Sequence, residues 1–437
     1  MESEIFTLHH ELVSKQRSCY EIVTDKLTAV AVHEDLLLSD EALATASAVD
    51  KKIAAGEHLG LLEGIPFGVQ EMLMLQNTVG AGGTDFLQNY TSPYTATAVQ
   101  QLLDAGAIPV VKQRFNRLEN HSDCGFSAFD IAKRHVAFSI GDDDGGIVRQ
   151  SAGYAHAYGF KPTFGRVSRW GSTTASSTSC ISPIASSLED IRLLLNVISG
   201  KDRNDVLSFD AGRIPETVFD TGYLHQNVKI GYFKNFIEND ATDEAVKNDF
   251  HAMIERLSAG GIDLIPLDFF DLDILVSTFY VLSMAETASN SAKFDGTVYG
   301  LGDRSANLPE ETKHRIIAGS CLLSDAYDED VRLKAQKIKA AVMGKLNECF
   351  ENVDIILSPV NNKSYSASYN TDTLDPEQIH SKIPENYMQD AFTVAFSLAG
   401  LPALSAPFFL PTGIQITANK NREDLILHVA QFLKERQ

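Results

Sequence analysis

Between Leu59 and Ile198, short apolar runs bounded by Gly and Pro alternate with segments whose apolar residues recur at helical spacing. This alternation constrains the fold more than any other feature of the chain. Leu59-Gly-Leu-Leu-Glu-Gly-Ile-Pro-Phe-Gly-Val69 reads as a turn followed by a strand, Ala96 to Ala105 as a helix stopped by Gly106, and Ala107 to Lys112 as the next strand. That order predicts an α/β protein with a mainly parallel sheet covered by helices. Residues 1–58 read as helices, since Glu21 to Val30 is amphipathic and Asp40 to Ala55 is rich in Ala. Further on, Val228 to Tyr232 and Val353 to Pro359 read as strands, Asp243 to Ala259 and Arg422 to Glu435 as helices, and 275–350 as strongly helical. No repeat, low-complexity tract or long linker divides the 437 residues. The chain is therefore expected to form one domain over 1–437, with N-terminal helices (1–58), a core (59–200) and a remainder (201–437). The stretch from Asn361 to Pro384, rich in Ser, Asn, Tyr and Asp, is expected to be a surface loop.

Charge narrows the function classes. A formal net charge of −21 repels phosphate backbones, so direct gripping of nucleic acid by this chain alone is not expected. There is no apolar run of membrane-spanning length, and the acidic start Met1-Glu2-Ser3-Glu4 is unlike a signal peptide. Five cysteines, odd in number, widely spaced and never in a CxxC pair, fit reduced thiols in a cytoplasm rather than a disulfide frame or a zinc site. Nothing in the sequence calls for a cofactor.

The segment with chemical content is Gly141-Asp-Asp-Asp-Gly-Gly-Ile-Val-Arg-Gln150, followed by Gly159-Phe-Lys-Pro-Thr-Phe-Gly-Arg-Val-Ser-Arg169. Paired glycines ahead of a helix make a tight turn whose backbone N–H groups can hold an anion or oxyanion. Asp142, Asp143 and Asp144 could ligate Mg²⁺ or Ca²⁺ only if their carboxylates converged, and neighbours on a strand point to opposite faces. No metal site is expected: Asp143 is expected to be structural and the other two to face solvent.

These strings resemble the amidase-signature family, whose loop reads approximately G-S-D-T-G-G-S-I-R-Q-P-A and whose next segment reads G-L-K-P-T-Y-G-R-V-S-R. Gly64-Ile-Pro-Phe-Gly-Val-Gln-Glu71 is similar to the family's G-I-P-V-A-I-K-D. The stretches 285–300, 313–319 and 390–402 resemble the branch formed by the A subunits of glutamyl-tRNA(Gln) amidotransferase. The resemblance implies one large mixed, twisted sheet with helices on both faces, and amide hydrolysis by a Ser–cis-Ser–Lys triad. For that branch it also implies B- and C-type partner subunits and release of ammonia from glutamine.

At the positions matched to the triad, this sequence departs from the family. The nucleophile's place is held by Ile147, which has no lone pair to attack a carbonyl. The lysine's place is held by Gln70, whose amide accepts no proton near neutral pH. The relay serine belongs to a G-G-S-S-G-G-S stretch. Between Ser127-Ala-Phe129, which matches the family, and Gly141 lie only the eleven residues 130–140, without a glycine. Of the other nearby nucleophiles, Ser139, Ser151 and Cys124, none follows the Gly-Gly turn. By the same matching, Arg315 and Asp390 stand where the branch holds glutamine's carboxylate and amino group. Gly145 and Gly146 keep the turn that could offer N–H groups to a carbonyl. The expectation is therefore a non-hydrolytic relative of that branch, serving as a scaffold, a regulator or a protein whose pocket binds an amino acid or amide without cleaving it. Its alternative is a working amidotransferase subunit or amidase with a displaced nucleophile.

Overall fold

In the computed structural model, the described residues are 2–31, 36–80, 87, 90–113, 131, 133–173, 176–220, 228–294, 308, 310–363 and 387–436. Eleven strands form one sheet in the order β1-β3-β2-β4-β6-β5-β10-β11-β9-β7-β8. They are β1 (Leu36–Leu37), β2 (Pro66–Gln70), β3 (Ile108–Gln113), β4 (Phe138–Asp143), β5 (Tyr158–Lys161), β6 (Cys180–Ala185), β7 (Ile230–Phe233), β8 (Leu264–Leu267), β9 (Ile355–Pro359), β10 (Ala403–Ala406) and β11 (Ile414–Ala418).

The sheet is mixed, as the family resemblance implies, and not mainly parallel as the alternation of elements suggests. Strand β2 runs parallel to β3 and β4, and β7 parallel to β8 and β9, but every other pairing is antiparallel. The physical reason lies in β6. The crossover from β4 through its helix to β5 leaves a slot between two co-directional strands, and β6 fills that slot antiparallel to both. Composition and periodicity read each strand singly and carry no information about such an insertion.

The helices are α1 (Glu4–Val13), α2 (Cys19–Val30), α3 (Ser39–Ala55), α4 (Thr97–Asp104), α5 (Ile147–Tyr154), α6 (Leu188–Ile198), α7 (Lys234–Ile237), α8 (Glu244–Ala259), α9 (Leu272–Ser291), α10 (Glu310–Leu322), α11 (Leu333–Asn352), α12 (Val394–Ala399) and α13 (Glu423–Lys434). A capping box opens α2: Ser18 accepts from the Glu21 N–H, while the Glu21 carboxylate accepts from the Ser18 N–H. The Asp50 carboxylate of α3 accepts from the N–H groups of Cys19 and Tyr20, tying α3 to the start of α2. Helix α5 lies so close to β5 that a Cβ on Gly159 would sit 2.8 Å from the Val148 carbonyl oxygen. The helical remainder resolves into α9, a π-helical turn at Asp328–Arg332 between α10 and α11, and those two helices. Gly319 lets α10 press on α9, since a Cβ there would lie 2.0 Å from the Met284 carbonyl oxygen.

One cluster of buried apolar side chains runs from Ile5 of α1 to Leu433 of α13. The surface-loop expectation is corrected at its first residues. Asn361 and Asn362 are buried: Asn361 donates to the carbonyls of Gln150 and Thr412, and Asn362 to that of Ala241. These side chains replace backbone pairing where the chain leaves β9, a role composition does not signal. Residues 364–386 lie outside the described set, as do Cys124, Ser127-Ala-Phe129 and residues 295–300. Among the described residues no helix is long and apolar enough to cross a membrane.

Candidate functional site

The polar residues singled out by sequence converge where β4 turns into α5. Gly145 and Gly146 form that turn with φ of 79° and 127°, in the region that favours glycine. A second constraint holds Gly146, since a Cβ there would lie 2.2 Å from Thr393 Oγ1. Thr393 Oγ1 in turn donates to the Gly145 carbonyl at 2.5 Å. Ile147 is the first residue of α5 and is buried, so the position after Gly-Gly presents a packed hydrocarbon.

Gln70 ends β2 and is buried. Its Oε1 accepts from the Asp142 N–H at 2.7 Å. The amide therefore pins β2 to the start of the aspartate run. Gly141 makes room for it, since a Cβ there would lie 3.0 Å from Gln70 Oε1.

The three aspartates diverge, as the alternation of side chains along a strand requires. Asp143 and Arg149 form a bidentate ion pair with no solvent exposure, at 2.9 and 3.0 Å. Arg149 also donates to Gln415 Oε1 and Ser397 Oγ, so its charge and most of its donors are met. The expectation that Asp142 and Asp144 face solvent is wrong. Asp142 is buried and accepts from Ser179 Oγ at 2.5 Å and Ser172 Oγ at 3.2 Å. Asp144 is half-buried and accepts from Ser176 Oγ and Thr178 Oγ1. The Ser/Thr-rich segment after Gly171 folds back over β4 and supplies hydroxyls in place of water, a return path invisible to a local reading. Among the described residues no group of His, Cys, Asp and Glu has the arrangement of a metal site.

Arg315 and Asp390 are both buried, and Tyr280 links them. Asp390 closes a 3-10 turn, Met388–Asp390. Its Oδ2 accepts from Tyr280 Oη at 2.6 Å and its Oδ1 from Gln150 Nε2 at 3.0 Å. The Arg315 guanidinium lies 5.4 Å over the Tyr280 ring and 6.0 Å over that of Tyr387, and the two rings stack at 3.8 Å. A cation and an anion thus flank an aromatic pair, a few residues from the glycine turn through Gln150 and Thr393. Sequence reasoning missed Tyr280 and Tyr387. Gln150 and Thr393 stood inside strings that resemble the family, so their positions were available and their roles were not.

The nucleophiles near the turn have other partners. Ser139 Oγ donates to Gln113 Oε1, and Ser151 Oγ to the Ile147 carbonyl. Lys112 is buried and donates to the Val79 carbonyl, and burial pushes its ammonium down to about 8 against the opposing pull of Glu71. Lys161 is also buried, donates to the Leu401 carbonyl, and is lowered chiefly by burial.

The sequence profile of the family described as Amidase matches residues 20–130 and 125–427. The A subunit of glutamyl-tRNA(Gln) amidotransferase from Gloeothece citriformis is 31% identical over 475 aligned positions, covering 98% of this chain and 96% of that protein. Its counterpart in a Nostoc species is 32% identical over 478 positions, with the same coverage. Of the solved structures, that of the glutamyl-tRNA(Gln) amidotransferase A subunit from Thermotoga maritima matches with a TM-score of 0.69 and 27% identity, over 86% of this chain and 83% of that one. A bacterial aryl acylamidase described as an amidase-signature enzyme matches with a TM-score of 0.80 over 98% of this chain and 95% of that one, a likeness of fold at 18% identity. With the profile matched over most of its length and near-full-length relatives above 30% identity, the chain belongs to the amidase-signature family.

Proposed function

We propose that this chain is a paralogue of the glutamyl-tRNA(Gln) amidotransferase A subunit that binds an amino acid or amide without hydrolysing it through the family's triad. On this reading it serves as a ligand-binding, scaffold or regulatory protein in the cytoplasm, beside B- and C-type subunits. The observation that carries the reading is Gln70: at the place of the family's lysine stands an amide whose oxygen is already committed to the Asp142 N–H. A proton acceptor is needed there, and a carboxamide is not one near neutral pH. Ile147, buried at the head of α5, removes the nucleophile from the same turn. Two features of the comparisons support a lost segment between them. The alignments run to 475 and 478 positions, more than the 437 residues of this chain, so dozens of the relatives' residues have no counterpart. The family profile also breaks at 125–130, beside the shortened segment before Gly141.

Recognition is a separate matter. Asp390 can exchange the Tyr280 hydroxyl for a ligand ammonium, and Arg315 offers positive charge to a carboxylate. The test is direct. Purified protein with glutamine or asparagine should release ammonia no faster than buffer, while calorimetry should detect glutamine binding that Asp390→Ala weakens by about tenfold or more. Ammonia release at an ordinary enzymatic rate would overturn the proposal. The companion reading, a chain that completes a channel for ammonia made elsewhere, is favoured by its likeness to the amidotransferase A subunits over nearly their whole length. It requires amidation of Glu-tRNA(Gln) with free ammonia, and co-purification with a B-type subunit.

A further inference from the structure

A pairing of hydroxyl and amine stands on the Ser/Thr-rich segment. Ser176 Oγ and Thr178 Oγ1 both donate to Asp144 Oδ1, at 3.0 and 2.7 Å. With both neighbours drawn inward to one carboxylate oxygen, Ser177 between them is turned outward and is exposed. Its backbone is fixed from another side, since its N–H donates to Glu286 Oε2 of α9 at 2.8 Å. Its Oγ meets the Lys339 Nζ of α11 at 3.2 Å. A loop, a helix and a second helix thus hold one serine hydroxyl against one amine, and the anchor of that loop, Asp144, immediately precedes Gly145.

Lys339 is half-buried, and its ammonium is lowered from the ordinary lysine value by burial, with Glu286 pulling the other way. A lysine nearer neutrality spends more of its time as the free amine, the form that can take a proton from a hydroxyl. Neither residue belongs to the positions of the family's triad.

We propose that Ser177 and Lys339 form a nucleophile–base pair that accepts an acyl group from an activated ester. As Ser177 Oγ attacks the ester carbonyl, Lys339 Nζ takes the hydroxyl proton. The bond from the acyl carbon to the leaving oxygen then breaks, and the leaving group takes the proton from Lys339. The products are an ester on Ser177 and a free alcohol, with no oxidant or reductant involved. The geometry also sets the substrate class. The Ser177 N–H is already engaged by Glu286 and so does not stabilise a developing oxyanion. Without that stabilisation the pair suits acyl donors with a good leaving group, such as aryl esters, and not an unactivated amide such as glutamine. The inference therefore does not rest on the proposed function and is compatible with it.

The experiment uses the full chain and p-nitrophenyl acetate. Expected are a burst of p-nitrophenol approaching one equivalent, an acetyl group located on Ser177 by peptide mass spectrometry, and a burst rate that climbs with pH through a value below the ordinary lysine range. Ser177→Ala should abolish the burst. Lys339→Met should slow it by about 100-fold, and Lys339→Arg should not rescue it, because a guanidinium stays protonated. Both side chains reach the surface, so a thermal melt coinciding with that of the unmodified chain separates loss of chemistry from loss of folding. No burst, acetylation elsewhere, or an unchanged rate in Lys339→Met would each overturn the proposal. Failure of the two readings is distinguishable. Ammonia release from glutamine that persists in Ser177→Ala, in a chain whose burst depends on Ser177, removes the non-hydrolytic reading and keeps the pair, whereas absence of both ammonia and burst does the reverse.

Discussion

Arg149 shows how a signature residue can be structural and chemical context at once. It has no solvent exposure, and its guanidinium reaches Asp143 through two nitrogens, Gln415, Ser397 and the Thr393 carbonyl. Those contacts join β4, α5, β11 and α12 around the glycine turn that Thr393 also holds. Arg149→Ala would leave the Asp143 carboxylate buried without its counter-charge, and the expected loss is about 3–5 kcal/mol in urea denaturation. Arg149→Lys should recover only part of it, because a single ammonium cannot make the forked contact to Asp143 and reach Ser397 as well. Equal stability of the alanine variant and the parent would remove the ion pair from the account of the fold. Gln70 teaches a related lesson. Its identity could be read from the sequence and so could its inability to act as a base, but its bond to the Asp142 N–H could not. Whether a polar residue is idle or does structural work is a matter of who stands opposite it.

At the scale of elements, most of what periodicity can report was legible. The strand at Pro66–Gln70, the helix at Thr97–Asp104 stopped by Gly106, and the pair Ile230–Phe233 and Glu244–Ala259 fall within a few residues of their sequence-based bounds. Direction within the sheet was not legible, because β6 is placed by a return path that no local pattern encodes. The site divides in the same way. Asp390 and Arg315 could be matched one by one, but their link through Tyr280 depends on α9 and α10 lying side by side. Gly319 tests that dependence. A Cβ at this position would meet the Met284 carbonyl at 2.0 Å, so Gly319→Ala must push α10 off α9. Overpacking of this kind costs about 1–3 kcal/mol. Because Arg315 lies one turn before Gly319 on α10, the variant should also weaken glutamine binding by calorimetry. A variant with lower stability and unchanged binding would mean that the Arg315–Tyr280 contact is not part of recognition.

At the scale of the whole molecule, the N-terminus is fastened to the far side of the sequence through Asp190 of α6. Ser3 Oγ and the Glu4 N–H donate to its two oxygens at 2.5 and 3.2 Å, and Ser186 Oγ donates to the Glu2 carbonyl. Glu4 is itself paired with Lys26 of α2 and with Arg134 in the segment ahead of β4. Burial raises the Asp190 carboxyl to about 6, against the opposing bonds from Ser3, Ser187 and Glu4, with Glu189 adding to the rise. A raised folded pKa means that the folded state binds the proton more tightly than the unfolded chain does. The linked stability is therefore fully present below the ordinary aspartate range and is lost as pH rises through 6, the reverse of a salt-bridged carboxylate. Asp202 and Glu63 are held low and lose their contribution as pH falls, and His9, lowered by burial, loses its own as pH falls through the ordinary histidine value. Comparing the parent with Asp190→Asn cancels these shared terms. Between about pH 7.5 and pH 5, the parent should gain about 1.4 kcal/mol relative to the variant in urea denaturation. Parallel pH profiles for the two proteins would show that the clasp at Ser3 and Glu4 does not titrate with Asp190.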